Sequence, residues 1–202
     1  MAKKRTQWTC QNCGRTTPRY MGRCPACGEW NTMVESVESK AKPAGRASGA
    51  PRSKPVALPD IETEGLDRFP VPIEEFARVL GGGLVPGSLT LVGGDPGIGK
   101  STLLLQASAL MAESTGQPVL YVSGEESARQ IRMRADRLDI TTDQLYVVTE
   151  TDLDTILHHA QEIAPWVVVV DSIQTVTSED LTSSAGSISQ VRHAASRFQG
   201  WA

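Results

Sequence analysis

Gly94-Asp95-Pro96-Gly97-Ile98-Gly99-Lys100-Ser101 is a complete G-x-x-x-x-G-K-[ST] loop, and its flanks decide the fold. The preceding Ser88-Leu89-Thr90-Leu91-Val92 is a short apolar run of strand type, and the stretch from Thr102 to Leu110 is an uninterrupted series of helix formers. Strand, glycine loop and helix in that order are the context in which this pattern binds phosphates. Glycines let successive backbone N–H groups converge on a phosphate, and the helix N-terminus adds the positive end of its dipole. Gly94 to Thr102 is therefore the expected ATP-binding segment. Lys100 is expected to reach the β- and γ-phosphates, and the Ser101 hydroxyl to ligate Mg²⁺.

Working outward, strand and helix patterns alternate. Val119–Ser123 reads as a strand, Ser127–Leu138 as a helix, Leu145–Val148 as a strand, and Asp152–Ala164 as a helix. Trp166-Val167-Val168-Val169-Val170-Asp171 is a continuous apolar run, the kind buried on both faces of a parallel sheet. The expected class is α/β and doubly wound. The run ends in Asp171, which places a carboxylate at the sheet's C-terminal edge beside the phosphate loop. There it is expected to hold Mg²⁺ through water as the partner of Ser101, rather than merely to cap a turn. Hydrolysis also needs a carboxylate to polarise the attacking water. Glu125 and Glu126, directly after Ser123-Gly124, are at that same edge and are the candidates, Glu125 standing first. With Lys100 they make up the expected catalytic set. Their structural alternative is to begin the next helix, where acidic residues complement the dipole. His158 and His159, mid-helix, read as surface residues.

All four cysteines lie far upstream in two C-x-x-C-G knuckles, Cys10-Gln11-Asn12-Cys13-Gly14 and Cys24-Pro25-Ala26-Cys27-Gly28. Each knuckle aims two thiolates at one point, and two knuckles make a tetrahedral sulfur site that suits structural Zn²⁺. Disulfides or a redox pair are the alternatives, but a redox dithiol does not come as a matched pair. About 30 residues bury too small a core to fold alone, so the metal is expected to fold this module. Trp8, Tyr20 and Trp30 are its expected packing set.

Charge divides the chain. Residues 1–58 carry 11 Lys/Arg against 3 Asp/Glu, and residues 59–202 carry 9 against 20. A basic arm on an acidic body fits either a polyanionic partner or a solvated tail. Residues 34–58 are rich in Lys, Ala, Gly, Ser and Pro and read as a flexible linker. The expected organisation is thus a zinc finger over 1–33, a basic linker over 34–58 and an ATPase domain over 59–202. No run of apolar residues reaches membrane-spanning length. The polar start and metal-committed cysteines point to the cytoplasm.

Together the two knuckles, Arg78-Val79-Leu80-Gly81-Gly82-Gly83-Leu84-Val85-Pro86-Gly87-Ser88, the phosphate loop, Tyr121-Val122-Ser123-Gly124-Glu125-Glu126-Ser127 and Ser184–Arg192 resemble the bacterial RadA (Sms) family of DNA-repair proteins. The resemblance covers nearly all of residues 8–192. It implies a RecA-like ATPase core behind a zinc finger, working on single-stranded or branched DNA beside RecA, as a hexameric ring that drives branch migration. It also places a DNA-facing loop over Thr177–Gln190. Family members continue through a γ-phosphate-sensing strand, a Lys-Asn-Arg-Phe-Gly motif and a Lon-protease-like domain. None of these has a counterpart here, so the chain reads as a C-terminally truncated member with an incomplete sheet. The strand expected between the phosphate-loop strand and the Asp171 strand is missing, which leaves either a gap or direct pairing of those two. A RecA-like regulator of the circadian-clock or gas-vesicle kind, and a catalytically dead DNA-binding remnant, are the rival readings.

Overall fold

The computed structural model describes residues 6–37, 56–61 and 67–202. Most of the stretch read as a linker lies outside the described residues. The N-terminal module is an antiparallel sheet of order β2-β1-β3, formed by β1 (Thr6–Cys10), β2 (Thr16–Thr17) and β3 (Met33–Val37). Pairing of Cys10 with Met33 through Thr6 with Val37 carries this ribbon past position 33, where the sequence reading ended it.

After the short α1 (Glu74–Val79), the larger unit runs α2 (Lys100–Thr115), β4 (Val119–Ser123), α3 (Ala128–Arg137), β5 (Leu145–Thr149), α4 (Leu153–Ile163), β6 (Val167–Asp171) and α5 (Ile188–Trp201). Three of its helices begin at side-chain caps: Ser127 and Gln130 form a reciprocal capping box on α3, Asp152 accepts from the Thr155 N–H, and Ser187 accepts from the Gln190 N–H. The strands are parallel in the order β5-β4-β6. Central β4 is buried throughout, which its all-apolar Val-Leu-Tyr-Val run permits. Its alternate side chains serve opposite faces. Tyr121 packs with Leu105 of α2 and Ile131 and Ala135 of α3. Leu120 and Val122 pack with Leu153, Ile156 and Ala160 of α4 and Ala194 and Phe198 of α5. The result is a parallel sheet between two helical layers, the α/β architecture expected.

Two expectations are corrected. Ser88–Val92 forms no strand; Leu89 and Leu91 are 53% and 83% exposed. And β6, expected to be buried on both faces, is only half-buried along its length. One cause accounts for both. β6 pairs with β4 on one side and with no strand on the other among the described residues, so the run before the phosphate loop has no ladder to join. Of the two arrangements expected, the gap is the one found.

Candidate nucleotide site and metal centre

The register of β4 fixes the geometry of the sheet's C-terminal edge. Ser123 lies opposite both Thr149 of β5 and Asp171 of β6. Gly124 N–H then donates to the Asp171 carbonyl at 3.1 Å, so Glu125 and Glu126 leave the sheet beside Asp171. After the Asp171–Ser172 bond, which is cis, the chain turns across the top of the sheet toward β5, where Thr177 N–H donates to the Thr151 carbonyl at 2.8 Å. That path requires Gly124. A Cβ there would stand 2.0 Å from Thr175 Oγ1 and 2.7 Å from Thr175 Cβ. Ser123, Gly124, Glu125, Glu126, Thr149, Glu150 and Thr151 line an open depression at this edge.

The glycine loop reaches the same region from α2. Gly97 and Gly99 hold φ of 79° and 100°, a left-handed backbone open to glycine, and Gly99 is the N-cap of α2. Lys100 Nζ donates to the carbonyls of Gly94 and Asp95 at 2.9 Å each, so its ammonium sits within the loop's own curve. Asp95, Pro96 and Ile98 are exposed along the loop, and Ser101 and Thr102 open the helix half-buried.

Tyr121 ties loop and carboxylate together. Its hydroxyl donates to Asp171 Oδ2 at 2.6 Å and lies 3.5 Å from the Ser101 carbonyl oxygen. Burial, and then the adjoining carboxylate, push this phenol far above its ordinary value and keep it a donor. The two glutamates differ. Glu125 Oε1 accepts from the Ser172 hydroxyl at 2.6 Å, whereas Glu126 forms an ion pair with Arg134 of α3. Sequence reasoning did not reach Tyr121, Ser172 or Arg134. Each acts across many residues of separation, and the local hint was a hydroxyl-bearing aromatic within the apolar run Val119–Val122.

The polar loop expected to face DNA is tightly organised at one end. Gln190 is buried; its amide NH₂ donates to the carbonyls of Ser178, Leu181 and Ser183, and its carbonyl accepts from Ser178 N–H. Gln190 therefore shapes this loop from within and presents nothing outward. His158 and His159 flank Glu162 at 3.5 and 3.7 Å on the surface of α4.

In the ribbon, the two knuckles are near copies. Gly14 N–H donates to the Cys10 carbonyl and Gly28 N–H to the Cys24 carbonyl, both at 2.9 Å, with both glycines at positive φ. All four Sγ atoms lie within 4.8 Å of one another, and the pairs Cys10–Cys27 and Cys13–Cys24 are 3.7 and 3.5 Å apart. Those two separations lie just under the roughly 3.8 Å edge of a tetrahedron with Zn–S near 2.3 Å. Burial raises the Cys10 thiol, but the Thr32 hydroxyl and the backbone N–H groups of Cys13 and Asn12 outweigh it and bring it down to about 6. The Cys27 backbone N–H leads in lowering Cys24. At Cys13 the Arg15 backbone N–H pulls downward, yet burial and the neighbouring sulfurs push the thiol up to about 12. A sulfur cluster that resists losing its last protons is one that a divalent cation neutralises. The donor set fits structural zinc. Of the expected aromatic set, Trp8 meets Tyr20 edge-on at 4.8 Å, but Trp30 is 67% exposed with the Arg23 guanidinium 5.8 Å above its ring.

Comparison with known proteins agrees with both parts. The AAA domain family matches residues 52–201, and the rubredoxin metal binding domain family matches residues 8–35. The chain is 49% identical over 201 residues to the DNA repair protein RadA of Halalkalibacterium halodurans, covering 98% of this chain and 44% of that protein. It is 53% identical over 197 residues to RadA of Bacillus subtilis, covering 95% and 43%. The chain thus spans less than half the length of these relatives. Among solved structures, the flagellar accessory protein FlaH of Methanocaldococcus jannaschii superposes with a TM-score of 0.50 at 18% identity, over 67% of this chain and 66% of that one, a likeness of fold.

Proposed function

The chain belongs to the AAA domain family, and from that premise we propose that it forms the nucleotide-binding part of a DNA-dependent ATPase of DNA repair. The observation that carries this reading is convergence. The Tyr121 hydroxyl lies between the Asp171 carboxylate and the Ser101 carbonyl at the end of the glycine loop, and Glu125 stands beside Asp171 on the Ser172 hydroxyl. Its likeness to the RadA proteins supports DNA as the activator.

The oxygen donors present, the Ser101 hydroxyl at a helix start and the Asp171 carboxylate, suit Mg²⁺. When bound with ATP, the cation offsets charge on the β- and γ-phosphate oxygens. Gly94 to Thr102 hold the phosphates through backbone N–H groups, and Lys100 exchanges its two carbonyl partners for phosphate oxygens. Glu125 orients and polarises the attacking water. Among the described residues its side chain meets a neutral hydroxyl, whereas Glu126 is neutralised by Arg134 and serves the structure.

The finer reading is an enzyme of the cytoplasm that acts on single-stranded or branched DNA beside RecA, as a hexameric ring driving branch migration. The test is ATP turnover with and without single-stranded DNA, in a protein of the relatives' full length that carries these residues. Turnover is expected to rise with DNA and to vanish with Lys100→Ala. Turnover indifferent to DNA would return the chain to a regulator built on the same fold, and none at all would leave a binding remnant.

A further inference from the structure

Tyr121 belongs to neither the glycine loop nor the carboxylate-ending strand, yet its hydroxyl lies between them. The side chain is 1% exposed on the central strand, packed against Leu105 and Ile131. Phenylalanine would supply the same apolar body to that cluster, so packing alone does not call for the oxygen. A buried tyrosine hydroxyl needs a partner, and here the partner is a carboxylate. The bond of 2.6 Å to Asp171 Oδ2 has the length of a charge-assisted one. The next oxygen, the Ser101 carbonyl at 3.5 Å, belongs to the first turn of α2, so the same hydroxyl abuts the backbone that carries the second expected Mg²⁺ donor.

We propose that Tyr121 is a positioning residue for the divalent-cation site, holding Asp171 by one oxygen so that the other is presented to the cation bound with the nucleotide. The inference rests on the Mg²⁺-nucleotide reading above. A free carboxylate at a strand end rotates about its terminal torsion, which is broad. Donation from a phenol anchored in the core removes that freedom before the cation arrives. Groups that orient a metal's ligands in this way carry about 10- to 100-fold in metal affinity. The low end applies if Asp171 acts through water.

The experiment is Mn²⁺ binding to the full 202-residue chain, followed by electron paramagnetic resonance with and without ADP, together with ADP affinity in excess chelator. The wild-type chain is expected to bind Mn²⁺ more tightly when ADP is present; if it does not, the nucleotide reading itself falls before any variant is compared. Given that coupling, Tyr121→Phe should weaken ADP-dependent Mn²⁺ binding about tenfold and leave metal-free ADP affinity unchanged. In an Asp171→Ala background, Tyr121→Phe should add nothing. Unchanged Mn²⁺ affinity in the single variant overturns the inference. So does an equal loss in both backgrounds, because the hydroxyl would then act elsewhere. A Tyr121→Phe chain that loses its helical circular dichroism also overturns it, since the hydroxyl would be serving the fold.

Discussion

Glu125 and Glu126 are neighbours in the sequence with opposite surroundings. The first meets a hydroxyl, while the second meets the guanidinium of Arg134, whose side chain is only 16% exposed. Glu125→Gln is expected to keep nucleotide binding and lose hydrolysis, measured as ATP turnover beside nucleotide affinity in a protein of the relatives' length. Glu126→Gln should keep much of its turnover but leave Arg134 without a counter-charge. For a pair buried on one side only, the loss falls between the surface and buried limits, about 2 kcal/mol. A melting curve should show this as a fall of about 4–8 °C. Normal hydrolysis in Glu125→Gln with none in Glu126→Gln would reverse the assignment. The pattern of acidic residues after a strand picked out the pair, but choosing between them required knowing what α3 brings against each.

Among elements, the turn after β6 and the ribbon make separate predictions. Thr175 packs where a Cβ on residue 124 would lie, so Gly124→Ala must displace the 172–175 turn, which carries the hydroxyl that meets Glu125. Overpacking of this kind costs about 1–3 kcal/mol. Chemical denaturation should register the loss, and an unchanged midpoint would show that the turn moves freely. The ribbon's own core is small, with Cys10, Cys24 and Met33 buried beside Trp8 and Cys13, and it shares no residue with the three clusters of the larger unit. Removing zinc with a strong chelator should therefore abolish amide-exchange protection over residues 6–37 while α2 to α5 keep theirs. Simultaneous loss in both units would mean that they fold as one. The knuckles were legible because metal ligation demands a fixed spacing. The reach of β3 to Val37 was not, because cross-strand pairing leaves little trace in so short a polar segment.

For the whole molecule, the decisive features are the outer edge of β6, unpaired among the described residues, and the exposed Leu89 and Leu91 of the run before the phosphate loop. An apolar parallel edge invites pairing with another chain. The 202-residue chain is expected to associate increasingly with concentration in the micromolar range, as seen by size-exclusion chromatography with light scattering, and to turn over ATP negligibly. Leu91→Lys should reduce the association; a wild-type chain that stays monomeric and hydrolyses ATP briskly would contradict the expectation. The sequence by itself determined the phosphate loop, the four-sulfur centre and the α/β alternation, because each depends on residue types at short, fixed spacings. It also placed Asp171 and the glutamate pair at one edge, because a strand's end is a local property. Only the tertiary structure decided that Ser88–Val92 stays unpaired, that Gln190 turns inward, that Arg134 claims Glu126 and that Tyr121 holds Asp171. Those outcomes depend on which neighbours a segment meets across 8 to 50 residues of chain, and no local pattern encodes them.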